Sequence, residues 1–94
     1  MTPEGKVKAK VKVILKRHDC WWDMPVPYGY GKSTVDFIGC SRGRFFAVET
    51  KADGKEPTKL QQAILRAVVA AGGETFVISG PNSPVFQDLE EWLE

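Results

Sequence analysis

Cysteine and histidine are scarce in this sequence. Its 94 residues include two cysteines and one histidine. Cys20, Cys40 and His18 lie at spacings that match neither a disulfide framework nor a usual zinc site, so both cysteines are expected to be free thiols. A chain of this length buries roughly 60% of its unfolded surface, which supports one core and no separate cofactor domain. We therefore predict a single domain over residues 1–94 without a small-molecule cofactor.

Long apolar runs are also missing. The longest run of hydrophobic residues is far shorter than the roughly 20 that span a bilayer, so no membrane partner is expected. The lysine-rich N-terminus lacks the apolar stretch of a signal peptide. We therefore expect a cytoplasmic protein.

Net charge is small, but its distribution along the chain is uneven. The total is +1 at pH 7. Residues 1–55 carry 11 basic and 6 acidic side chains, whereas residues 56–94 carry 2 basic and 6 acidic ones. A basic portion can follow a phosphate backbone if the fold collects its charges on one surface. The pattern is a hint of a nucleic-acid partner.

The first segment permits two interpretations. Thr2 and Pro3 are typical of a helix start, and Glu4 suits the positive end of a helix dipole. Residues 6–13 alternate strictly between lysine and apolar residues, which by periodicity alone favours a strand. A helix instead places an apolar stripe below Glu4, with lysines on both flanks. We prefer the helix, which brings Glu4 to the end of the buried stripe.

The rest of the chain predicts an α/β protein with a mixed sheet. Residues 20–26 are expected to hold one short edge strand, because prolines surround them. The later elements are a hairpin of Ser33 to Cys40 against Arg44 to Lys51, a helix from Pro57-Thr58 to Gly72-Gly73, a strand from Glu74 to Ser79, and a terminal helix that Ser83 caps and Pro84 begins. A hairpin followed by a crossover helix and another strand predicts central strands covered by helices on both faces.

Two acids interrupt the apolar hairpin. If the turn consists of Arg42 and Gly43, Asp36 pairs directly with Glu49. Like charges at such positions lie roughly 5 Å apart and are destabilising. Lys51 shares the face of Glu49 and offsets part of the charge. A divalent cation such as Mg²⁺ or Mn²⁺ would offset the rest.

A different turn would separate the acids. A three-residue turn shifts the register by one, pairs Asp36 with Val48 and sends the two carboxylates to opposite faces. The two-residue turn is favoured, because Gly43 supplies the positive φ that it requires.

At this point the residues resemble a known family. The matching strings are Ser33 to Gly39, Arg44 to Lys51, Thr58 with Gln61, and Gly72-Gly73. They are similar to the VRR-Nuc branch of the PD-(D/E)xK nuclease superfamily, and the resemblance covers Glu4 to about Ser79. It implies a restriction-endonuclease-like core in the order αβββαβ, here followed by a C-terminal helix. Because the family begins with a helix, the resemblance also favours a helix over residues 6–13.

The resemblance implies a role for each motif residue. Glu4, Asp36 and Glu49 would surround Mg²⁺ or Mn²⁺, with the Thr50 carbonyl as a backbone ligand. Lys51 would be the active-site lysine. Gln61 would be the polar residue on the crossover helix. The sequence departs from the superfamily pattern where Val35, rather than proline, precedes the first acid.

The implied function is Mg²⁺-dependent hydrolysis of DNA phosphodiester bonds. Stand-alone members of the family resemble Holliday-junction resolvases, so branched DNA and a homodimer are expected, in the cytoplasm of a bacterium or a phage-infected host cell. Cutting a four-way junction symmetrically needs two active sites related by a two-fold axis. The residues expected to contact nucleic acid are Lys6, Lys10, Lys32, Arg42, Arg44 and Lys55.

Simpler interpretations stay open at the sequence level. Glu4 can serve only the helix dipole, and Gln61, three residues after Thr58, can serve only a capping box. Asp36 and Glu49 are harder to explain without a ligand, because a buried unpaired charge is costly. The alternative functions are a non-catalytic nucleic-acid-binding module that keeps the nuclease fold, and a regulatory protein with structural salt bridges.

Overall fold

A computed structural model describes residues 1–26 and 34–94. The elements are α1 (Pro3–Arg17), β1 (Trp21–Asp23), β2 (Phe37–Ser41), β3 (Arg44–Lys51), α2 (Lys59–Ala70), β4 (Glu74–Ser79) and α3 (Val85–Leu93). This order confirms the predicted mixed α/β class. Lys32 and Ser33, which the sequence analysis assigned to the nucleic-acid contacts and to the hairpin, lie outside the described residues.

The four strands form one sheet in the order β1-β2-β3-β4. β2 is antiparallel to both β1 and β3, whereas β3 and β4 are parallel and α2 connects them. One face packs against α1 and α3, and its core includes Phe37, Phe46 and Ile78. The other face packs against α2 through Ala47 and Leu65. The prediction of central strands covered on both faces is therefore confirmed.

The N-terminal segment is helical despite its alternation. The Thr2 hydroxyl accepts a hydrogen bond from the Gly5 N–H at 2.9 Å and so caps α1. Four apolar side chains of the helix are buried, at positions Val7, Val11, Ile14 and Leu15. Their spacing of three and four residues fits one helical stripe. Burial of that stripe outweighs the strand periodicity of the lysines.

The hairpin has the predicted register and a shorter first strand. Both turn residues have positive φ, 53° at Arg42 and 78° at Gly43, as a two-residue turn requires. Ser41 pairs with Arg44, and the ladder ends where Phe37 pairs with Val48. The predicted strand from Ser33 to Cys40 is therefore wrong at both ends, because β2 begins at Phe37 and ends at Ser41. Asp36 lies at a bend just before β2.

The terminal helix begins one residue later than expected. Pro84 occupies the cap position of α3, and the Ser83 hydroxyl accepts a hydrogen bond from the Val85 N–H at 3.1 Å. None of the described helices is long and apolar enough to cross a membrane.

Gly39 provides a test of how closely the strands pack. An added Cβ would lie 2.4 Å from the Phe46 ring and 2.5 Å from the Trp21 carbonyl oxygen. We expect Gly39→Ala to lower the free energy of unfolding by about 1–3 kcal/mol through overpacking, measured by urea denaturation with tryptophan fluorescence. Gly43→Asn is the control, because space is open there and asparagine tolerates this turn. Equal midpoints for the two variants would contradict this account.

Candidate active site

At the bend before β2, the Asp36 side chain replaces the backbone as a hydrogen-bond partner of β3. Continuing the ladder would pair Asp36 with Glu49 and Val35 with Thr50. The chain leaves the strand instead, and Asp36 Oδ2 accepts hydrogen bonds from the Thr50 N–H at 2.8 Å and the Thr50 hydroxyl at 2.6 Å. The carboxylate thus takes over a ladder position from the backbone. This contact holds Asp36 next to Glu49, as the sequence register predicted.

Glu49 is the most confined charge-bearing side chain of this group. It is 1% exposed, and its Oε2 atom has no hydrogen-bond partner among the described residues. Burial raises the pKa of Glu49 to about 9, and its hydrogen bond and charge interaction with Asp36 act in the same direction. Glu49 is therefore protonated at neutral pH when no cation is bound.

The neighbouring Asp36 behaves in the opposite way. Burial acts to raise its pKa, but hydrogen bonds from Glu49 and Thr50, together with the Lys8 charge, outweigh burial and lower the pKa. The two acids therefore share one proton, as two carboxylates confined to one site do. Such a pair is ready to release a proton when a cation arrives.

Lys51 lies at the end of β3, two residues beyond Glu49. Strand alternation places both side chains on the same face, and the Lys51 charge acts to lower the pKa of Glu49. On β4, Val77 pairs with Glu49 and Ser79 pairs with Lys51. The expected neighbourhood of acid and lysine at this end of the sheet is therefore present.

A second lysine reaches the acids from α1. Lys8 Nζ lies 3.3 Å from Glu4 Oε2 and 3.6 Å from Asp36 Oδ1. Burial acts to lower the pKa of Lys8, but the charges of Asp36 and Glu4 outweigh burial and raise it. The helical pattern of residues 6–13 places lysines on both flanks of α1 and by itself predicts no role for Lys8 at the site. The signal for its role was the Glu-to-Lys spacing of four residues, which favours an ion pair on a helix.

Gln61 forms the capping box that the sequence allowed. Its Oε1 atom accepts a hydrogen bond from the Thr58 N–H at 2.9 Å, and its own N–H donates to the Thr58 hydroxyl at 3.2 Å. These bonds stabilise the start of α2. A role for Gln61 in catalysis stays a prediction.

Donor chemistry decides which residues fit a metal ion. Within residues 1–26 and 34–94, no group of three acidic, histidine or cysteine side chains comes together to hold one. Glu4 is instead ion-paired with Lys8, which also contacts Asp36. Asp36 and Glu49 remain as two adjacent carboxylates, and the unpartnered Glu49 oxygen is a hard donor. Mg²⁺ commonly binds through one or two carboxylates plus waters, so this pair fits it.

Two of the predicted phosphate contacts lie away from the acids. Arg42 donates a hydrogen bond to the Leu93 carbonyl at 3.5 Å. Arg44 donates to the Trp92 carbonyl at 3.0 Å and lies 4.2 Å above the Trp92 ring. Arg44 and Glu49 stand five residues apart on β3, roughly 17 Å at the rise of a strand. Both arginines therefore anchor α3 at the opposite end of the sheet.

The other predicted contacts divide into two groups. Lys6 and Lys55 are exposed. Lys10 is used in packing, because its Nζ atom donates to the Pro81 carbonyl at 3.3 Å and lies 4.3 Å from the centre of the Phe86 ring. The structure therefore gathers Asp36, Glu49 and Lys51 together and leaves the predicted cations dispersed.

Comparison with protein-family models and with curated proteins finds no match to this sequence. The nuclease resemblance accordingly rests on the motif residues and on the order of the elements.

The shared proton predicts a pH-dependent stability. Between pH 4.5 and about 9, the folded protein keeps a proton on Glu49 that the unfolded chain has lost. By linkage, the free energy of unfolding of the metal-free protein must fall as pH rises through this window. Glu49→Gln removes the titration, so we expect a flatter pH profile and a gain on the order of a few kcal/mol at pH 8.

Urea denaturation from pH 5 to 9 in excess chelator measures this effect. Glu74→Gln is the matched control, because Glu74 is exposed on the neighbouring strand and should leave the slope unchanged. Asp36 and Lys8 should not contribute to the slope between pH 5 and 9. The pKa of Asp36 is lowered from 3.8, and the pKa of Lys8 is raised from 10.5. A wild-type profile that is flat or rises from pH 5 to 8 would contradict the shared proton.

Proposed function

We propose that this protein is a metal-dependent endonuclease that hydrolyses DNA phosphodiester bonds. The observation that carries the proposal is the Asp36–Glu49 pair, in which the buried Glu49 has an unpartnered oxygen. A buried polar atom without a partner costs on the order of 1–3 kcal/mol, and the site holds a proton on Glu49 well above the ordinary pKa of a glutamate. Such costs are common where a site is built for a ligand. A divalent cation removes both at once.

The side chains divide the chemistry between them. Asp36, Glu49 and the Thr50 carbonyl would hold Mg²⁺ or Mn²⁺. When bound, such an ion polarises the scissile phosphate and lowers the pKa of its water. Lys51 orients the attacking water and offsets the negative charge that develops on the phosphate in the transition state. Lys51 suits this task because its charge acts on Glu49 from the same face of β3.

The reaction is an in-line displacement at phosphorus. The water oxygen bonds to phosphorus on the side opposite the 3′-oxygen, the bond between phosphorus and that oxygen breaks, and the 3′-oxygen takes up a proton. The products are a 5′-phosphate and a 3′-hydroxyl. Gln61 would position water or phosphate through its amide NH₂, since its Oε1 atom is engaged by the helix cap.

Contacts with the phosphate backbone should dominate DNA recognition, because no element among the described residues is set apart for reading bases. Arg42 and Arg44 are left out of the proposed interface, because both are engaged by α3. A homodimer would supply the two active sites that a four-way junction needs. Branched DNA is therefore the proposed substrate.

Cleavage assays test the catalytic assignment. We expect Lys51→Met and Asp36→Asn to lower the cleavage rate at least 100-fold in Mg²⁺ or Mn²⁺, because each removes a group that acts on the transition state. DNA binding should change little. The assay compares linear duplex, single strand, flap and four-way junction DNA. Arg66→Ala, an exposed residue on α2, is the control and should cleave normally.

Two results would refute the proposal. Full activity of wild type in excess chelator would exclude a metal mechanism, and full activity of Lys51→Met would remove the lysine from the site. A protein that binds DNA but cuts none of the four substrates would instead support the non-catalytic binding module.

Oligomeric state tests the junction substrate. We expect sedimentation to show a dimer when the protein is bound to four-way junction DNA, because coordinated cutting needs paired sites. Resolution products should then carry symmetric nicks. A monomer on the junction, with nicks at unrelated positions, would restrict the activity to nicking.

A further inference from the structure

Helix α1 has two basic flanks, and their side chains make different contacts. One flank packs against the C-terminal part of the chain. Lys10 contacts Pro81 and Phe86, and Arg17 forms an ion pair with Glu90. Two charges of this flank, those of Lys10 and Arg17, are therefore engaged in tertiary contacts.

The other flank is a row made of Lys8, Lys12 and Lys16, which we call the lysine row. Its members are four residues apart, so they lie on one side of the helix with about 6 Å of axial rise between neighbours. The row extends roughly 12 Å along the helix. Lys8 is its inner end and lies 3.6 Å from Asp36 Oδ1. The row therefore begins at the candidate active site.

The outer members of the row keep their charge available. Among the described residues, neither Lys12 nor Lys16 has an ion-pair partner, whereas Lys8 is paired with acids of the site. Uncompensated cations on one side of a helix create a positive potential that attracts an extended anion. Beside Lys8 and Asp36 lies a groove of about 410 Å³, whose walls include Met24 and Val35. An extended chain can thus follow the row and enter the site.

We infer that the lysine row binds successive phosphates of a DNA strand and leads that strand to the Asp36–Glu49 pair. This inference rests on the proposed action on DNA. Lys12 and Lys16 contact backbone phosphates outside the site. Lys8 contacts the phosphate nearest the acids once a cation takes over the neutralisation of Asp36. The phosphate track therefore lies on the opposite flank from Lys6 and Lys10.

Salt-dependent binding tests the row without any cleavage. DNA binding is measured by fluorescence anisotropy in excess chelator, over a range of salt concentrations. Each phosphate contact contributes about 0.7–0.9 to the slope of log K against log salt. The double variant Lys12→Ala/Lys16→Ala should therefore lose about 1.4–1.8 from the slope and bind at least 10-fold more weakly at 0.1 M salt.

The control is a variant that removes equal charge elsewhere. Lys59→Ala/Arg66→Ala takes two cations from exposed positions of α2, so the net charge matches that of the row variant. We expect it to keep nearly the wild-type slope. Equal losses in the two variants, or an unchanged slope in the row variant, would overturn the inference.

The binding experiment also separates this inference from the proposed function. If DNA binding depends on the row but the wild type never cuts DNA, phosphate binding by the row is supported and the endonuclease proposal is refuted. If the wild type cuts DNA while the row variant keeps the wild-type salt slope, the endonuclease proposal is supported and phosphate binding by the row is refuted.

Lys8 is tested separately by cation binding. Lys8→Met removes a positive charge next to Asp36, so Mn²⁺ should bind several-fold more tightly, measured by calorimetry at pH 7.5 without DNA. The same variant should show a raised KM for DNA. A lysine that only neutralises Asp36 would also tighten Mn²⁺ binding when removed, but it would leave the KM for DNA unchanged. An unchanged KM would therefore remove Lys8 from the inner end of the row.

Discussion

The close approach of Asp36 and Glu49 is the constraint on which this molecule depends. Two carboxylates cannot both be ionised in a confined space without a compensating charge. Here the conflict is reduced in three ways: Glu49 holds a proton, Thr50 donates two hydrogen bonds to Asp36, and Lys8 supplies a positive charge. The fold therefore compensates the acid pair with a proton, two hydrogen bonds and a lysine. In the proposed endonuclease, a bound cation would take over this role.

The sheet makes this approach possible. β3 is paired on both sides, and its face toward α1 and α3 holds fully buried side chains such as Phe46 and Val48. Glu49 follows Val48 in the same strand, and strand alternation directs its side chain to the other face, which Ala47 shares with α2. A rigid strand thus carries one acid, and the bend at Asp36 carries the other. Sites on regular elements are held more precisely than sites on loops.

Helix α1 contacts the hydrophobic core, helix α3 and the candidate active site. Its apolar stripe fills the core, its flank with Lys10 and Arg17 fastens α3, and its other flank begins at the acids. The near-zero net charge of the whole chain conceals this division. Acidic residues lie at the candidate site and in the ion pair that anchors α3, whereas Lys12 and Lys16 have no ion-pair partner among the described residues.

The order of elements, the two-residue turn and the meeting of Asp36 with Glu49 could be predicted from the sequence, because alternation, helical stripes and glycine at positive φ are local signals. Other features depend on tertiary contacts. The bend at Asp36 depends on Thr50, fourteen residues away. The use of Lys8 and the engagement of Arg42 and Arg44 by α3 depend on which helix faces which strand. Such contacts form between distant segments, and no local pattern encodes them.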